Sequence, residues 1–401
     1  MSASRTRDHR ADAAAVDRDV TAAVDRVLAH ALAENLTRAA SLDPLFTRDV
    51  AQRVARFTLS GRRFRSRIVW WTMRTCGGRD DAATRAALRI GAALELVQTC
   101  ALAHDDVMDG ARVRRGRPAL HTAVAAQYRH AAPGGRAERL GEATAILAGD
   151  LALAWADDLI ADTVVPEHGS RRVRQLWRDM RTEMVAGQYL DVQGQATRSH
   201  AVPQAVRAAT LKSALYSVER PMALGAALAD ADGATATALS SAGRCAGLAF
   251  QLRDDLNDLF ADPVRTGKPS GGDLRNGKPT YVFAVARARA EAAGDLSALA
   301  VLDETHGRAD LPDSALAPVL QVLVSTGARA AVEEKIDQLV RCGVRHLRSV
   351  RLDPAGAAEL ERLLLLVAGA PAERPADGSR SPADAEAPSF AHAAGAEGAG
   401  R

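Results

Sequence analysis

Aromatic residues are scarce, only 4% of a 401-residue chain, and β-branched residues rarely fall in alternating runs. That shortage argues against an extended sheet, which needs such residues at period two. Cysteine is rarer still. Cys76, Cys100, Cys245 and Cys342 stand far apart with no CxxC pair. A zinc ribbon is thereby not expected, nor is a disulfide framework in so long a chain. A reducing, cytoplasmic setting suits such cysteines. The charged start, MSASRTRDHRADAAA, has no apolar stretch and does not read as a secretory signal. The longest apolar runs, such as LLLLVAGA from Leu363, are too short to span a bilayer, so no integral membrane segment is expected. Charge of one sign is lacking too. The 52 Lys and Arg nearly balance 49 Asp and Glu, which leaves no whole-chain case for nucleic-acid binding.

What remains is Ala, Leu and charge, with apolar residues recurring at three- and four-residue spacing. Leu94, Val97, Ala101 and Leu102 show the period, and it continues through 145–160, 206–228, 235–259 and 316–347. The spacing predicts an all-α protein built as a single large helical bundle. Breaks at 42–44, 76–78, 133–135, 166–169 and 262–272 are too short to be domain linkers. Residues 1–18 are charged and read as a flexible N-terminal segment. Residues 19–368 read as the helical domain. Residues 369–401, rich in Pro, Ala and Gly without period, read as a disordered tail.

The stretch HDDVMDGARVRRGRP, from His104, sets three carboxylates beside four arginines. Asp105 and Asp109 are four apart and Asp106 and Asp109 three apart, so each pair shares a helical face, where like charges repel. A second copy of the DDxxD spacing lies at Asp254, Asp255 and Asp258, preceded by Gln251. One copy reads most simply as a solvated acidic face. Two copies, each closing an apolar helical stretch, point to a cation held between helices. Carboxylates without His or Cys select a hard ion, Mg²⁺ or Mn²⁺, and Mg²⁺ shares its shell with phosphate oxygens. A diphosphate is the occupant this chemistry suits.

A diphosphate also needs cations. Arg62, Arg63 and Arg65 follow Gly61 in SGRRFRS, at an expected helix start. Arg114 and Arg115 follow the first acidic motif. Lys212 lies in 211–216, and Lys268 and Lys278 lie in a Gly-rich loop after the second motif. Each alone is ordinary surface charge. Their pairing with the aspartates is the informative feature, since Arg offers bidentate phosphate contacts and Lys a point charge.

With these motifs in this order, the chain resembles the trans-isoprenyl diphosphate synthases, the polyprenyl synthetase family, over roughly residues 20–368. The family's GGKRxRP appears as SGRRFRS, its Lys-Thr as Lys212-Ser213, and its GQxxD as Gly187, Gln188 and Asp191. Gln98 stands where the family has His or Gln before the first motif. The resemblance implies an all-α bundle around a deep apolar cavity, usually a homodimer. It implies that Asp105, Asp109 and Asp254 bind Mg²⁺, three ions per site in the family, with the other motif aspartates and Lys212 in the catalytic machinery. Arg114, Lys212, Lys268 and Lys278 would bind the allylic diphosphate. Arg62, Arg65, Gln98 and Arg115 would hold isopentenyl diphosphate, with Arg63, Gln188, Ser213 and Gln251 as further substrate contacts. The implied enzyme is a prenyltransferase that joins these two substrates head to tail. In the family, positions 100 and 101 floor the cavity. Cys100 and Ala101 are small, which favours geranylgeranyl diphosphate, with longer or farnesyl products as alternatives. A terpene cyclase shares one DDxxD, but its second motif normally mixes Asn, Ser or Thr with Glu. A regulatory subunit usually loses an aspartate motif, whereas this chain keeps both.

Overall fold

The computed structural model describes residues 13–198, 201–262 and 270–369. The chain folds into a helical bundle. Its first half runs α1 (Ala13–Arg18), α2 (Val20–Leu42), α3 (Pro44–Phe46), α4 (Gln52–Leu59), α5 (Phe64–Thr75) and α6 (Asp81–Met108). After a small hairpin come α7 (Leu120–Tyr128), α8 (Arg136–Ala161), α9 (Glu167–Thr197), α10 (Val202–Ala209), α11 (Arg220–Leu228) and α12 (Gly233–Phe260). Helices Tyr281–Ala293, Leu296–Thr305, Leu316–Ser325, Ala328–Arg348 and Pro354–Val367 complete the bundle. Two segments, Thr47–Ala51 and Thr210–Glu219, are wound as π-helix.

Aspartate starts several of these helices. Asp80 accepts from Ala83 N at 2.8 Å to open α6, and Asp232 accepts from Ala234 and Thr235 N at 2.9 Å to open α12. Such caps satisfy donors that the first turn leaves unpaired. The apolar period then decides the packing. In α6, Ile90, Leu94, Leu96 and Val97 are fully buried, so this helix is enclosed by its neighbours rather than amphipathic. Each such side chain contributes about 1.5–3 kcal/mol by leaving water.

Two expectations are corrected here. The N-terminal segment read as flexible is helical from Ala13, because Val16 is buried and Asp17 accepts from Trp70 Nε1 at 2.9 Å and Arg74 Nη2 at 2.7 Å. Residues 1–12 and the tail from 370 lie outside the described residues. Apolar runs read as too short to cross a bilayer join, in α6, into a helix long and apolar enough to do so. That window is 83% buried inside the bundle, which makes it a core helix instead. The all-α reading needs one small addition. Val113–Arg114 and Arg117–Pro118 form an antiparallel pair around a two-residue turn. Arg115 and Gly116 both have positive φ there, 54° and 69°, as a type I′ turn requires.

Candidate active site

Both DDxxD motifs fall at the C-terminal ends of long helices, α6 and α12. The helix dipole makes that end the worse place for a carboxylate. Neither helix has a basic residue in its last turn to offset the charge. The two ends open on one cavity of about 1760 Å³, lined by Asp105 and Asp109 from α6 and Asp254, Asp255 and Asp258 from α12. Lys212, Lys278, Arg65, Arg114 and Arg115 line it as well, and so do Leu153, Met184, Val185 and Phe250. Charge and apolar wall thus share one space.

Side-chain oxygens of Asp105, Asp109 and Asp191 lie within 4.8 Å of one another. Lys212 Nζ reaches Asp105 at 2.8 Å and Asp191 at 2.5 Å, while Lys278 Nζ reaches Asp109 at 2.6 Å and Asp273 at 3.3 Å. Gln188 Nε2 donates to Asp105 at 3.3 Å. The middle aspartate of each motif turns inward. Asp106 is 1% exposed and accepts from Arg114 Nε at 2.7 Å, which fixes that arginine at the cavity edge. Asp255 accepts from Gln251 Nε2 at 2.8 Å. Asp258 accepts from the Asp273 amide at 3.1 Å, tying the loop to the helix.

The electrostatics follow from that layout. Burial pushes the Asp105 carboxyl up, but the charges of Lys212, Lys278 and Arg114 outweigh it and hold it below the usual range. Burial raises Asp109, with repulsion from Asp105 adding to it and Lys278 opposing. Burial also raises Asp255 well above its ordinary value, helped by the charge of Asp273. Lys278 goes up despite burial because Asp273, Asp105 and Asp109 surround it. The fit to a hard cation is good. The donors are all oxygen, and Asp109 Oδ1 is buried without a hydrogen-bond partner.

A second group of cations stands on the far side of Arg114. Arg65 Nη2 donates to Ser217 Oγ at 2.7 Å and its guanidinium lies 4.1 Å from the centre of the Tyr216 ring. The Tyr216 hydroxyl donates to Gln98 Oε1. Arg115 Nη1 donates to Ser60 Oγ at 2.8 Å, and its guanidinium sits 5.1 Å from the Phe57 ring centre. Burial lowers Arg115, with Arg114, Arg65 and Arg63 adding repulsion that the charge of Glu95 only partly offsets, so an anion beside it would be welcome.

Most of the residues read from the sequence meet in this cavity, including Gln98, Cys100, Ala101, Gln188, Ser213 and Gln251. Arg62 is exposed and outside the lining. Arg63 is a correction to its reading as a substrate contact. Its side chain is fully buried, bonded to Asp25 at 2.5 Å, to the Thr58 and Leu59 carbonyls at 2.8 and 3.0 Å, and to Glu95 at 3.3 Å. Arg63 therefore braces the turn, at a positive φ of 56°, and leaves Arg65 to face the cavity. Lys268 lies outside the described residues. The close carboxylate trio contains Asp191, whereas Asp254 lines the cavity without joining it. Asp191 had a sequence signal, the GQxxD spacing. Asp273, Tyr216 and Ser217 had none beyond their nearness to Lys278 and Lys212.

Lys212 owes its position to backbone. It lies on the π segment Thr210–Glu219, against α9 and α12. A Cβ at Gly187 of α9 would stand 2.1 Å from Lys212 N, and one at Gly247 of α12 would stand 2.4 Å from Ala214 O. These two glycines allow the helices to grip the π segment closely. π-Turns of this kind recur at functional sites.

Fold and site together set a cluster of carboxylates and a set of cations above an apolar wall inside an α-helical bundle. The polyprenyl synthetase family model matches residues 49–314, and the chain belongs to the polyprenyl synthetase family. It is a prenyltransferase of the trans-prenyl chain-elongating kind. A geranylgeranyl diphosphate synthase of Mycobacterium tuberculosis is 36% identical over 241 residues, 60% of this chain and 63% of the relative, just under two thirds of its length. A (2E,6E)-farnesyl diphosphate synthase of Mycobacterium bovis is 30% identical over 305 residues, 76% of this chain and 78% of the relative. The solved structure of geranylgeranyl pyrophosphate synthase from Corynebacterium glutamicum, complexed with isoprenyl diphosphate and magnesium, superposes with a TM-score of 0.81. It is 34% identical and covers 86% of this chain and 97% of its own.

Proposed function

We propose that this chain condenses isopentenyl diphosphate head to tail with an allylic diphosphate and releases geranylgeranyl diphosphate. The observation that carries the reading is the meeting of two acidic helix ends, two cation groups and an apolar wall around one cavity. Asp105 and Asp109, with Asp254 opposite, are the proposed Mg²⁺ ligands, and Mn²⁺ is the natural substitute. Bound there, the metal supplies Lewis-acid neutralisation of the allylic diphosphate.

The chain's own residues do the rest. Lys212, Lys278 and Arg114 take the charge that grows on the leaving diphosphate as its C–O bond breaks. The carboxylates they now neutralise would pass to the metal, freeing the ammonium groups for phosphate. Arg115 and Arg65 are the proposed anchors of isopentenyl diphosphate, whose double bond attacks the allylic carbon. The proton then lost goes to the departed diphosphate, so no side-chain base is required. Leu153, Met184 and Phe250 keep water from the cation.

Ile146 and Leu147 are exposed on α8. A second copy of the chain is the proposed cover, giving a homodimer. The four cysteines are free thiols, which supports a cytoplasmic setting. The deciding experiment supplies purified full chain and Mg²⁺ with isopentenyl diphosphate and each allylic starter. Geranylgeranyl diphosphate is expected to dominate. A cyclic hydrocarbon formed from geranylgeranyl diphosphate alone would overturn the reading.

A further inference from the structure

Cys245 on α12 and Cys342 and His346 on the helix Ala328–Arg348 bring two sulfurs and an imidazole nitrogen within 4.8 Å of one another. Cys342 and His346 are four residues apart and share a face. Gly343, beside Cys342, lets the two helices come close. A Cβ there would meet Ala242 O at 3.3 Å and Cys245 Cβ at 3.5 Å. All three side chains are half-buried, so an ion from solvent can reach them without unfolding the pair. The trio belongs to neither substrate cavity wall nor carboxylate site. Cys245 is nine residues before Asp254, roughly 13 Å along α12.

The geometry points to a binding site for a thiophilic metal ion, with zinc the reference ion, held by Cys245, Cys342 and His346. The donor set is the reverse of the active site's. Two thiolates and a neutral imidazole suit Zn²⁺ and reject Mg²⁺. Two donors at about 2.3 Å from one ion cannot be more than about 4.6 Å apart. The three donors lie within 4.8 Å of one another, and small rotations of these half-buried side chains bring them inside that limit. Two thiolates would balance the charge of a divalent ion, leaving a neutral site with water as its fourth ligand. The same atoms could instead pair as a disulfide, and titration of the reduced chain separates the two outcomes.

The test uses the reduced, metal-free full chain titrated with Co²⁺, then Zn²⁺. Cobalt can also enter the carboxylate site, so the thiolate-bound ion is counted by its charge-transfer band, one per chain expected, which Zn²⁺ abolishes. The band should vanish in Cys245→Ser and in Cys342→Ser, weaken in His346→Gln, and persist in Asp105→Asn, which reports only the other site. Circular dichroism checks that each variant folds, and His346→Gln decides if a serine variant does not. No band in the wild type, or a band that survives both serine variants, overturns the proposal. So does a Cys245–Cys342 disulfide with no metal uptake after reduction.

Discussion

Arg115 is held before any substrate arrives. Ser60 accepts its Nη1 at 2.8 Å and in turn donates to the Phe57 carbonyl at 2.7 Å, while the Phe57 ring lies under the guanidinium. The cost of ordering a long side chain is therefore met within the fold. Ser60→Ala removes one neutral partner of a charged donor, worth about 1 kcal/mol. It should raise KM for isopentenyl diphosphate about fivefold and leave kcat and the allylic KM nearly unchanged. Arg115→Ala, which removes the phosphate contact itself, should cost about 1.5–3 kcal/mol on the same constant. Steady-state kinetics with each substrate varied in turn checks both. An equal rise for the two substrates in either variant would show that Arg115 serves no single diphosphate. The charge of Arg115 was legible in the sequence, but its support was not. Ser60 is 55 residues away, and no local pattern joins them. Arg63 shows the opposite limit. Arginines 62, 63 and 65 look alike in the string SGRRFRS, and only the fold sends Arg63 inward to Glu95 and Asp25.

Helices are legible from the apolar period, because one buried face repeats every three to four residues. What the period does not carry is a change in winding. The π segment Thr210–Glu219 has ordinary helix formers, and its shape comes from close contact with Gly187 and Gly247. Gly187→Ala drives a methyl into the Lys212 backbone, which has no flexible end to move aside. The expected loss is about 3 kcal/mol in stability, together with lower kcat as Lys212 shifts. Gly233→Ala is the control, since a Cβ there meets nothing within 4 Å. Denaturant midpoints and kcat for the pair give the comparison, and equal behaviour would remove the packing role. The first π segment, Thr47–Ala51, is pinned differently. Asp49 on it is held below the usual carboxylate range by the Arg48 hydrogen bond, which together with Tyr128 and Gln127 of the α7 end outweighs burial. A depressed folded value means the stabilisation is present above the unfolded pKa of about 3.9. It is lost as pH falls through the folded value. Asp49→Asn should thus cost about 1–3 kcal/mol at neutral pH, and the gap to wild type should narrow at the acid end. Urea unfolding across pH measures it. A gap that stays constant down to the acid end would mean the carboxylate charge contributes nothing.

At the scale of the whole molecule, the acidic motifs and the bundle were legible in the residues, while the cavity between them was implied only by the family resemblance. A period of 3.6 says that helices pack, not how far apart two of them stand. That spacing now bears on product length. Asp105 lies near the α6 C-terminus, and the helix runs from it down along the cavity, with Ala101 one turn below. One turn is about 6 Å at 1.5 Å per residue. If the diphosphate is held at Asp105, the growing chain passes Ala101 and Cys100. Both line the cavity, and Cys100 is only 3% exposed, with burial pushing its thiol up to about 12. It therefore presents a small, uncharged wall. Small residues there leave room for one more isoprene unit than an aromatic floor allows. Phe at 101 should block that room and move the product from geranylgeranyl to farnesyl diphosphate. Cys100→Phe should do the same but with a larger loss of stability, since a more buried position tolerates added volume less, at about 1–3 kcal/mol. Product chromatography, read beside the thermal midpoint, separates the two effects. If Ala101→Phe stays folded and active yet still yields the wild-type chain length, the floor lies elsewhere in the cavity.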